Sequence, residues 1–462
     1  MHEFRCVSPV DGRVYAERVA ASEAHVQRSL EPARASQREW RRLDVRERAR
    51  YCSAAVDAML AMSDEIPAEL AWQMGRPIRY GAGELRGFTE RARYMIEIAE
   101  EALEPIDPGP KEGFKRWIAR EPLGLVLTIA PWNYPYLTAV NSVVPALMAG
   151  NAVLLKHSAQ TLLVGERFQR AFDAAGLPAG LFQNLALTHE QAAALISSHS
   201  VDQVNFTGSV DAGRAIEAAA TGRFLGVGLE LGGKDPGYVR ADADLPQAID
   251  TLVDGAFFNS GQSCCGIERI YVDNSVYDDF VEGAVELANK YVLGDPLDEA
   301  TTLGPLVRAE AATFVRGQVE AAARAGGRCL IDPKRFPRDK AGTPYMAPQI
   351  VVEVTHEMSL MRDESFGPVV GIMKVASDAE AIRLMNDSPY GLTAALFTRD
   401  ADAAAAIGAE IETGTVFLNR CDYLDPALAW TGVKDTGRGA TLSRVGYETL
   451  TRPKSFHFKL PG

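Results

Sequence analysis

Between residues 123 and 231 short apolar runs alternate with helix-like stretches. The runs are Leu125 to Ile129, Ala152 to Leu155, Gln203 to Phe206 and Leu225 to Leu231, and Thr161 to Ala175 is a helical stretch lying among them. Runs this short suit strands buried on both faces and are too brief for self-sustaining helices. Strands of that kind separated by helices pair in parallel, because a crossover helix returns the chain to the same end of the sheet. The segment therefore predicts a doubly wound, mostly parallel sheet with helices on its faces. The helix at 161–175 has a clear stop, since Gly176 can take a left-handed turn and Pro178 cannot continue the helix.

Residues 22–102 read as largely helical, with Asp44 and Glu47 spaced as a helix cap and its reciprocal partner. A second alternation runs from about 246 to 428, with helices expected around 275–290, 311–325 and 400–412 and a strand at Thr415 to Leu418. It predicts a second α/β domain of similar size. Pro105 to Arg120 and the tail Arg452 to Leu460 read as strands outside both domains, and exposed strands of that kind commonly pair with another subunit.

A length of 462 residues fits two or three such domains. Lys+Arg 48 against Asp+Glu 61 leaves a net charge of −13, which repels phosphate backbones. Nucleic acid and anionic membrane surfaces are thereby excluded as general partners. The greasiest stretches, Leu123 to Ile129 and Val143 to Leu155, are broken by Thr128 and Asn151, and Met1 to Cys6 has no apolar signal core. A cytoplasmic chain that spans no membrane is expected. The cysteines Cys6, Cys52, Cys264, Cys265, Cys329 and Cys421 show no Cys-x-x-Cys spacing, so neither a disulfide framework nor a metal site is expected.

Four segments carry residues suited to chemistry. Cys264 and Cys265 follow the flexible turn Gly261-Gln262-Ser263, where a thiol can be presented at a sheet end, although a cysteine is as readily a small buried hydrophobe. Glu230 ends an apolar strand in Leu229-Glu230-Leu231-Gly232-Gly233-Lys234. It is either a general base with a pKa raised by burial or the partner of Lys234. Phe206-Thr207-Gly208-Ser209 leads from a strand into a helix, so N–H groups at Gly208 and Ser209 can meet a phosphate, or simply start a helix. In Pro131-Trp132-Asn133-Tyr134-Pro135 the Asn133 amide is a helix cap or an oxyanion donor.

Together and in this order, with Glu364-Ser365-Phe366-Gly367-Pro368, Tyr390-Gly391-Leu392 and Gly432-Val433-Lys434 followed by Gly437, these segments resemble the aldehyde dehydrogenase superfamily from end to end. The likeness is to its compact, soluble, non-acylating members. It implies a Rossmann-type dinucleotide-binding domain over 1–103 and 122–230, a second α/β catalytic domain over 231–428, and a small β oligomerisation element from 104–121 and 447–462. A homodimer or homotetramer follows. The resemblance implies that Cys264 is the nucleophile, that Asn133 and the Cys264 N–H hold the oxyanion, and that Glu230 activates water to hydrolyse a thioester. It implies NAD or NADP as cofactor. Gly208, Ser209 and Trp132 are expected by the pyrophosphate, Lys156 by the adenosine ribose and Glu364 by the nicotinamide ribose, with Leu231 and Phe366 as further contacts. Members selective for NAD tend to carry a glutamate where Ala159 stands, and without it His157 or Ser158 is expected to donate to a 2′-phosphate.

Tyr134, Leu137, Thr138 and Asn141 fall on one helical face, which the family turns toward its aldehyde tunnel. Phe258, Ser263, Cys265, Asp422 and Trp430 complete the expected substrate pocket. Succinic semialdehyde enzymes resemble this chain but place arginines where Asn141 and Phe258 stand, and without those cations a second carboxylate is poorly paired. A neutral aliphatic or aromatic aldehyde is therefore the expected substrate. The alternative is an aminoaldehyde or betaine aldehyde, because Trp430 and Tyr134 resemble part of an aromatic box and Asp422 adds negative charge. Readings from other classes are a cysteine esterase or thioesterase, for which none of the seven histidines lies in a partner motif, and a non-catalytic relative.

Overall fold

The run Leu125–Ile129 forms a strand buried at every position, in the interior of a six-stranded sheet. The computed structural model describes residues 2–461. Across this sheet the order is Gly437–Arg438, Gly226–Glu230, Gln203–Thr207, Leu125–Ile129, Ala152–Lys156, Phe182–Asn184. Every pairing is parallel except that of Gly437–Arg438, which runs antiparallel along Gly226–Glu230. From Leu125–Ile129 the chain first builds the sheet on one side and then crosses to build it on the other. That reversal opens a crevice at the carboxyl ends of the strands, where ligands collect in sheets of this kind. Pro131 to Asn133, Lys156 to Ala159, Gly208 to Ser209 and Leu231 all follow strands of this sheet at those ends.

The helices that flank the site come from two parts of the chain. Pro135–Met148 is buried almost all round and starts with proline at a first-turn position, where a missing N–H costs nothing. Ile78–Glu97 lies along it, and a Cβ at Gly87 would collide with the Leu137 side chain. The side chain of Glu84 stands in for a cap on the buried helix: it accepts from the N–H groups of Tyr136 at 2.9 Å and Leu137 at 3.1 Å. Of the expected cap on Val45–Leu60, Asp44 accepts from the Glu47 N–H at 2.7 Å, while Glu47 itself faces Arg50.

The second sheet has seven strands, ordered Arg328–Cys329, Gln349–Val352, Val369–Val375, Ile267–Asp273, Asp235–Val239, Thr393–Phe397, Thr415–Leu418. Only the first, an edge strand, is antiparallel. Apolar clusters cover both of its faces. Phe114–Pro122 pairs along its whole length with Thr451–Lys459 as an antiparallel ribbon, so the strand expected from Pro105 starts at Phe114. The chain over 429–446, which the sequence assigned to no domain, and Tyr447 just beyond it return to the first sheet. Trp430, Leu442 and Tyr447 join its core, and Gly437–Arg438 covers its edge. An N-terminal hairpin, Glu3–Val7 with Val14–Val19, was not foreseen. Among the described residues no helix is long and apolar enough to cross a membrane.

Candidate active site

Residues 258–266 join the helix Leu245–Phe257 to the strand Ile267–Asp273 through a loop with an unusual backbone. Asn259, Ser260 and Gly261 are all left-handed, with φ of 52°, 57° and 69°. For the two non-glycine residues that conformation costs roughly 1–2 kcal/mol each. Hydrogen bonds offset it: Asn259 Nδ2 donates to the Gln262 carbonyl at 3.2 Å, Ser260 Oγ to the Gly304 carbonyl at 2.8 Å, and Val307 N–H to Gln262 Oε1 at 2.7 Å. Gly261 has no room for a side chain, because a Cβ would strike the Gly367 carbonyl. Held in this way, the loop presents Cys264, half-buried, to a cavity of about 330 Å³.

The two adjacent thiols differ sharply. Cys265 is 3% exposed, and its Sγ donates to Asp422 Oδ1 at 2.8 Å. The neighbouring Cys264 thiol, burial and the Asp422 carboxylate together push the Cys265 pKa well above the ordinary thiol range. Asp422 is raised as well, to about 6, chiefly by burial. Glu230 borders the cavity that Cys264 faces. Its carboxylate accepts from Thr441 Oγ1 at 2.6 Å and Thr207 Oγ1 at 3.4 Å. Burial raises its pKa, against the pull of Thr441, Arg91 and Thr207. Lys234 is not its partner: that ammonium is buried against Glu268, 2.5 Å away. Asn133 is tied to the nucleophile loop, its Nδ2 donating to the Gln262 carbonyl at 3.2 Å and its own carbonyl accepting from Asn259 and Arg76.

On the crevice side the residues divide. Lys156 is buried with no carboxylate partner among the described residues, and burial lowers its pKa. Ser209 caps the helix Val210–Ala220 and stands exposed at its N-terminus, a favourable place for an anion. Trp132 meets the edge of Phe366 with ring centroids 5.7 Å apart. Glu364 accepts from the Gly233 N–H at 3.0 Å, and burial followed by the nearby Glu268 raises its pKa to about 8. A buried amine without a counter-ion, a free helix N-terminus and an unpaired carboxyl across the crevice fit a dinucleotide whose phosphates and ribose hydroxyls would satisfy them. Ser158 Oγ accepts from the Gln160 N–H at 3.2 Å, which leaves its own proton free to donate. Ala159 opens the short turn Ala159–Thr161 and brings no polar group.

Two expectations need correcting here, those for His157 and Gly208. The imidazole of His157 points inward, Nε2 lying 3.2 Å from the Pro135 carbonyl and Nδ1 3.2 Å from Thr161 Oγ1. Burial lowers its pKa to about 4, so it is neutral and both nitrogens are engaged away from any 2′-phosphate. The Gly208 N–H donates to the Glu230 carbonyl at 3.0 Å and is not available to a phosphate; what this glycine supplies is clearance beside the Phe206 ring. Leu231 packs its side chain where a Cβ on Gly213 would fall, under the helix Val210–Ala220.

Every residue expected in the substrate pocket lines the Cys264 cavity: Tyr134, Leu137, Thr138 and Asn141 from one helix face, and Phe258, Ser263, Cys265, Asp422 and Trp430 around it. Sequence reasoning missed Arg76, Glu84 and Arg91, which line it too. Glu84 and Arg91 had one signal, their place with Gly87 at i, i+3, i+7 on a single helical face; Arg76 had none. It missed Glu268 as well, whose carboxylate accepts from the N–H groups of Ser365 at 2.8 Å and Phe366 at 2.9 Å and so carries the Glu364 loop.

Comparison with known proteins agrees with this geometry. The model of the aldehyde dehydrogenase family matches residues 1–456. An NADP-dependent succinate-semialdehyde dehydrogenase of Mycobacterium avium is 33% identical over 457 residues, 97% of this chain and 95% of its own. A succinate semialdehyde dehydrogenase of Escherichia coli named for NAD(P) is 33% identical over 441 residues, 95% of this chain and 94% of its own. The solved succinic semialdehyde dehydrogenase of Streptococcus pyogenes, in complex with NADP, matches with a TM-score of 0.94 at 28% identity, covering 99% of this chain and 100% of that one. The indole-3-acetaldehyde dehydrogenase AldA of P. syringae matches with a TM-score of 0.93 at 30% identity, covering 99% of this chain and 93% of its own. From its sheet crevice to its cysteine loop, this chain belongs to the aldehyde dehydrogenase family and is an NAD(P)-dependent oxidoreductase of aldehydes.

Proposed function

We propose that Cys264, Glu230 and Asn133 convert an aldehyde to a carboxylic acid by way of a thioester that water hydrolyses. The observation that carries this reading is that Cys264 and Glu230 border one cavity while the neighbouring thiol of Cys265 is committed to Asp422. The Cys264 thiolate adds to the aldehyde carbon, forming a C–S bond and an oxyanion. One hydrogen of the Asn133 amide is used on the Gln262 carbonyl, and the other remains for that oxyanion alongside the Cys264 N–H. When bound, the nicotinamide supplies a hydride acceptor, a role no side chain can fill. Loss of hydride from the former aldehyde carbon leaves a thioester on Cys264. Glu230 then takes a proton from water as the hydroxyl adds to the acyl carbon, the C–S bond breaks, and Cys264 leaves as thiolate with the acid released. A carboxylate whose pKa is raised by burial is a stronger base for that step than a solvated one.

Walls of Tyr134, Leu137, Phe258, Leu424 and Trp430 support a substrate with a compact hydrocarbon body. An aminoaldehyde is poorly served, because Asp422 already accepts from Cys265 and Ser263 and because Arg91 places positive charge in the same cavity. The expected neutral aldehyde rested on the lack of arginine at 141 and 258, and Arg91 removes that ground. Two of the relatives are named for succinate semialdehyde, which bears a carboxylate at its far end. The half-exposed Phe458 and Leu460 at the end of the ribbon support a homodimer or homotetramer assembled through it; a monomer by light scattering would remove that reading.

The experiment is rapid mixing with an aldehyde panel and NAD or NADP, following the reduced nicotinamide band. The wild-type protein should turn over continuously. Glu230→Gln should give a burst near one equivalent per active site and then a much slower steady state. A first turnover as slow as the later ones would show that Glu230 acts before the thioester forms.

A further inference from the structure

We propose that Arg91 is the anion anchor of the substrate cavity, and that the aldehyde this enzyme prefers carries a carboxylate at its far end. The inference rests on the reading of Cys264 as nucleophile, since it places the second charge of the substrate in the cavity that Cys264 faces.

Arg91 lies on Ile78–Glu97 one turn beyond Gly87, where the missing side chain lets this helix close on Pro135–Met148. Its residue is 8% exposed, and what remains accessible borders the cavity. Only Nη1 is engaged, donating to the Leu137 carbonyl at 2.8 Å and to Asn141 Oδ1 at 3.3 Å. Among the described residues Nε and Nη2 have no acceptor, and no carboxylate comes within ion-pair distance. Of the other deeply buried arginines, Arg48 leaves one nitrogen without an acceptor, bonding through Nε and Nη1 alone, and two leave none. Arg76 bonds through all three nitrogens, to Asn259, Glu84 and the Asn133 carbonyl. Arg269 does the same with the carbonyls of Lys234, Leu384 and Met385. Neither Nε nor Nη2 of Arg91 is sealed inside the protein, so both open to the cavity, and a guanidinium that stays charged under any ordinary condition offers them there to an anionic ligand.

The acids that face this cavity are already committed. Glu84 holds Arg76 and caps the buried helix, Glu90 accepts from the Tyr423 hydroxyl at 2.6 Å, Asp422 accepts from Cys265 and Ser263, and Glu230 is held by Thr441 and Thr207. Beside Arg91, the amide nitrogen of Asn141 is also buried with no acceptor. Adjacent Nε and Nη nitrogens of a guanidinium present the fork that a carboxylate accepts in bidentate fashion. Arginine is absent at 141, and the helix packed against that position supplies one from 50 residues away, so the charge reaches the same face by another route.

The test compares succinate semialdehyde with butanal, which has the same chain length and no charge, using wild-type, Arg91→Met and Arg91→Lys enzymes under steady-state conditions. The wild type should favour the carboxylated aldehyde. Arg91→Met should lower the ratio of kcat/KM for the semialdehyde to that for butanal by about 100-fold or more, mostly through the KM of the semialdehyde. Arg91→Lys should fall between, since a point charge replaces a fork. Equal losses on both aldehydes, or a fall confined to kcat, would overturn the proposal and make Arg91 a support for the nucleophile. The wild type gives an independent reading should a variant fail to fold: succinate should inhibit far better than butyrate, and equal inhibition would overturn the proposal. A wild type that oxidises butanal as well as the semialdehyde defeats this inference alone, whereas one that oxidises no aldehyde defeats the reading on which it rests.

Discussion

Replacing Glu268 by alanine asks how the loop bearing Glu364 and Phe366 is held. Glu268 and Lys234 are both almost fully buried and pair at 2.5 Å. The same carboxylate accepts from the N–H groups of Ser365 and Phe366, and Lys234 Nζ also donates to Ser365 Oγ at 3.0 Å. Phe366 has a φ of 50°, a left-handed conformation that costs about 1–2 kcal/mol for a residue with a side chain. Deleting the carboxylate strands a buried ammonium and two backbone donors. Removing one partner of a buried pair costs about 3–5 kcal/mol, and the orphaned N–H groups are part of that figure. Without their acceptor, nothing here offsets the strain at Phe366, so the loop should relax and carry Glu364 with it.

Glu268→Ala should therefore lose stability in chemical denaturation and raise the KM for cofactor. Cys264 should keep its rate of alkylation by iodoacetamide without cofactor, because its loop is anchored elsewhere. Adding Lys234→Met removes the stranded charge and should recover much of the stability, yet the cofactor KM should stay high because Ser365 and Phe366 still lack an acceptor. The pH dependence has a definite sign. Burial lowers the pKa of Lys234 and its pairing with Glu268 opposes that, so without Glu268 the folded-state value drops further below the unfolded one, about 10.4. The unfolded chain then binds more protons, and the deficit of the single variant should shrink as pH rises toward 10. Single and double variants equally unstable at every pH, or an unchanged cofactor KM, would refute the reasoning.

Cys264→Ala should abolish aldehyde oxidation and any esterase activity while Cys265→Ala retains both, and comparable losses would show that the wrong thiol was chosen. For Glu230, whose raised pKa requires deprotonation before it can act as base, the acid limb of kcat should lie above the ordinary carboxylate range. Thr441→Val, which removes a hydroxyl donating to the charged form, should move that limb further toward alkaline pH; a limb that stays in place would deny Glu230 the role of base. Ala159→Glu should lower the ratio of NADP to NAD catalytic efficiencies about tenfold, the factor that 1.4 kcal/mol provides, because a carboxylate there repels a 2′-phosphate. An unchanged ratio would place selectivity elsewhere, with Ser158 the next residue to test.

What could be read from the sequence was local. Leu125–Ile129 and Ala152–Lys156 are strands because an unbroken apolar run has no other way to be buried on both faces, and each ends in a segment that the crevice then uses. Tyr134, Leu137, Thr138 and Asn141 reach one cavity because helical spacing alone puts them on one face. His157 failed for the opposite reason: its place beside Ala159 says nothing of where its ring points, which a carbonyl 22 residues earlier decides. Gly208 failed because its N–H is spent on the next strand of the sheet, a pairing no local pattern reveals. The ion pair of Lys234 with Glu268 spans 34 residues, and its charged members look like solvated surface until the second sheet buries them.

The same distinction explains the electrostatics of the site. Arg76 binds at once the Cys264 loop through Asn259, the proposed oxyanion donor Asn133 through its carbonyl, and Glu84, which caps the helix Pro135–Met148. One guanidinium thus fixes three separate segments, and its charge is cancelled where it acts, so it positions Cys264 and Asn133 without adding a field for a substrate to feel. Arg91, two turns further along the helix from Glu84, is built differently: one nitrogen is anchored and the other two have no acceptor. Two arginines of one largely helical segment, Arg76 between two helices and Arg91 within one, therefore do unlike work. What separates them is whether a carboxylate of the protein itself is present, and at Arg91 that place is left for the substrate.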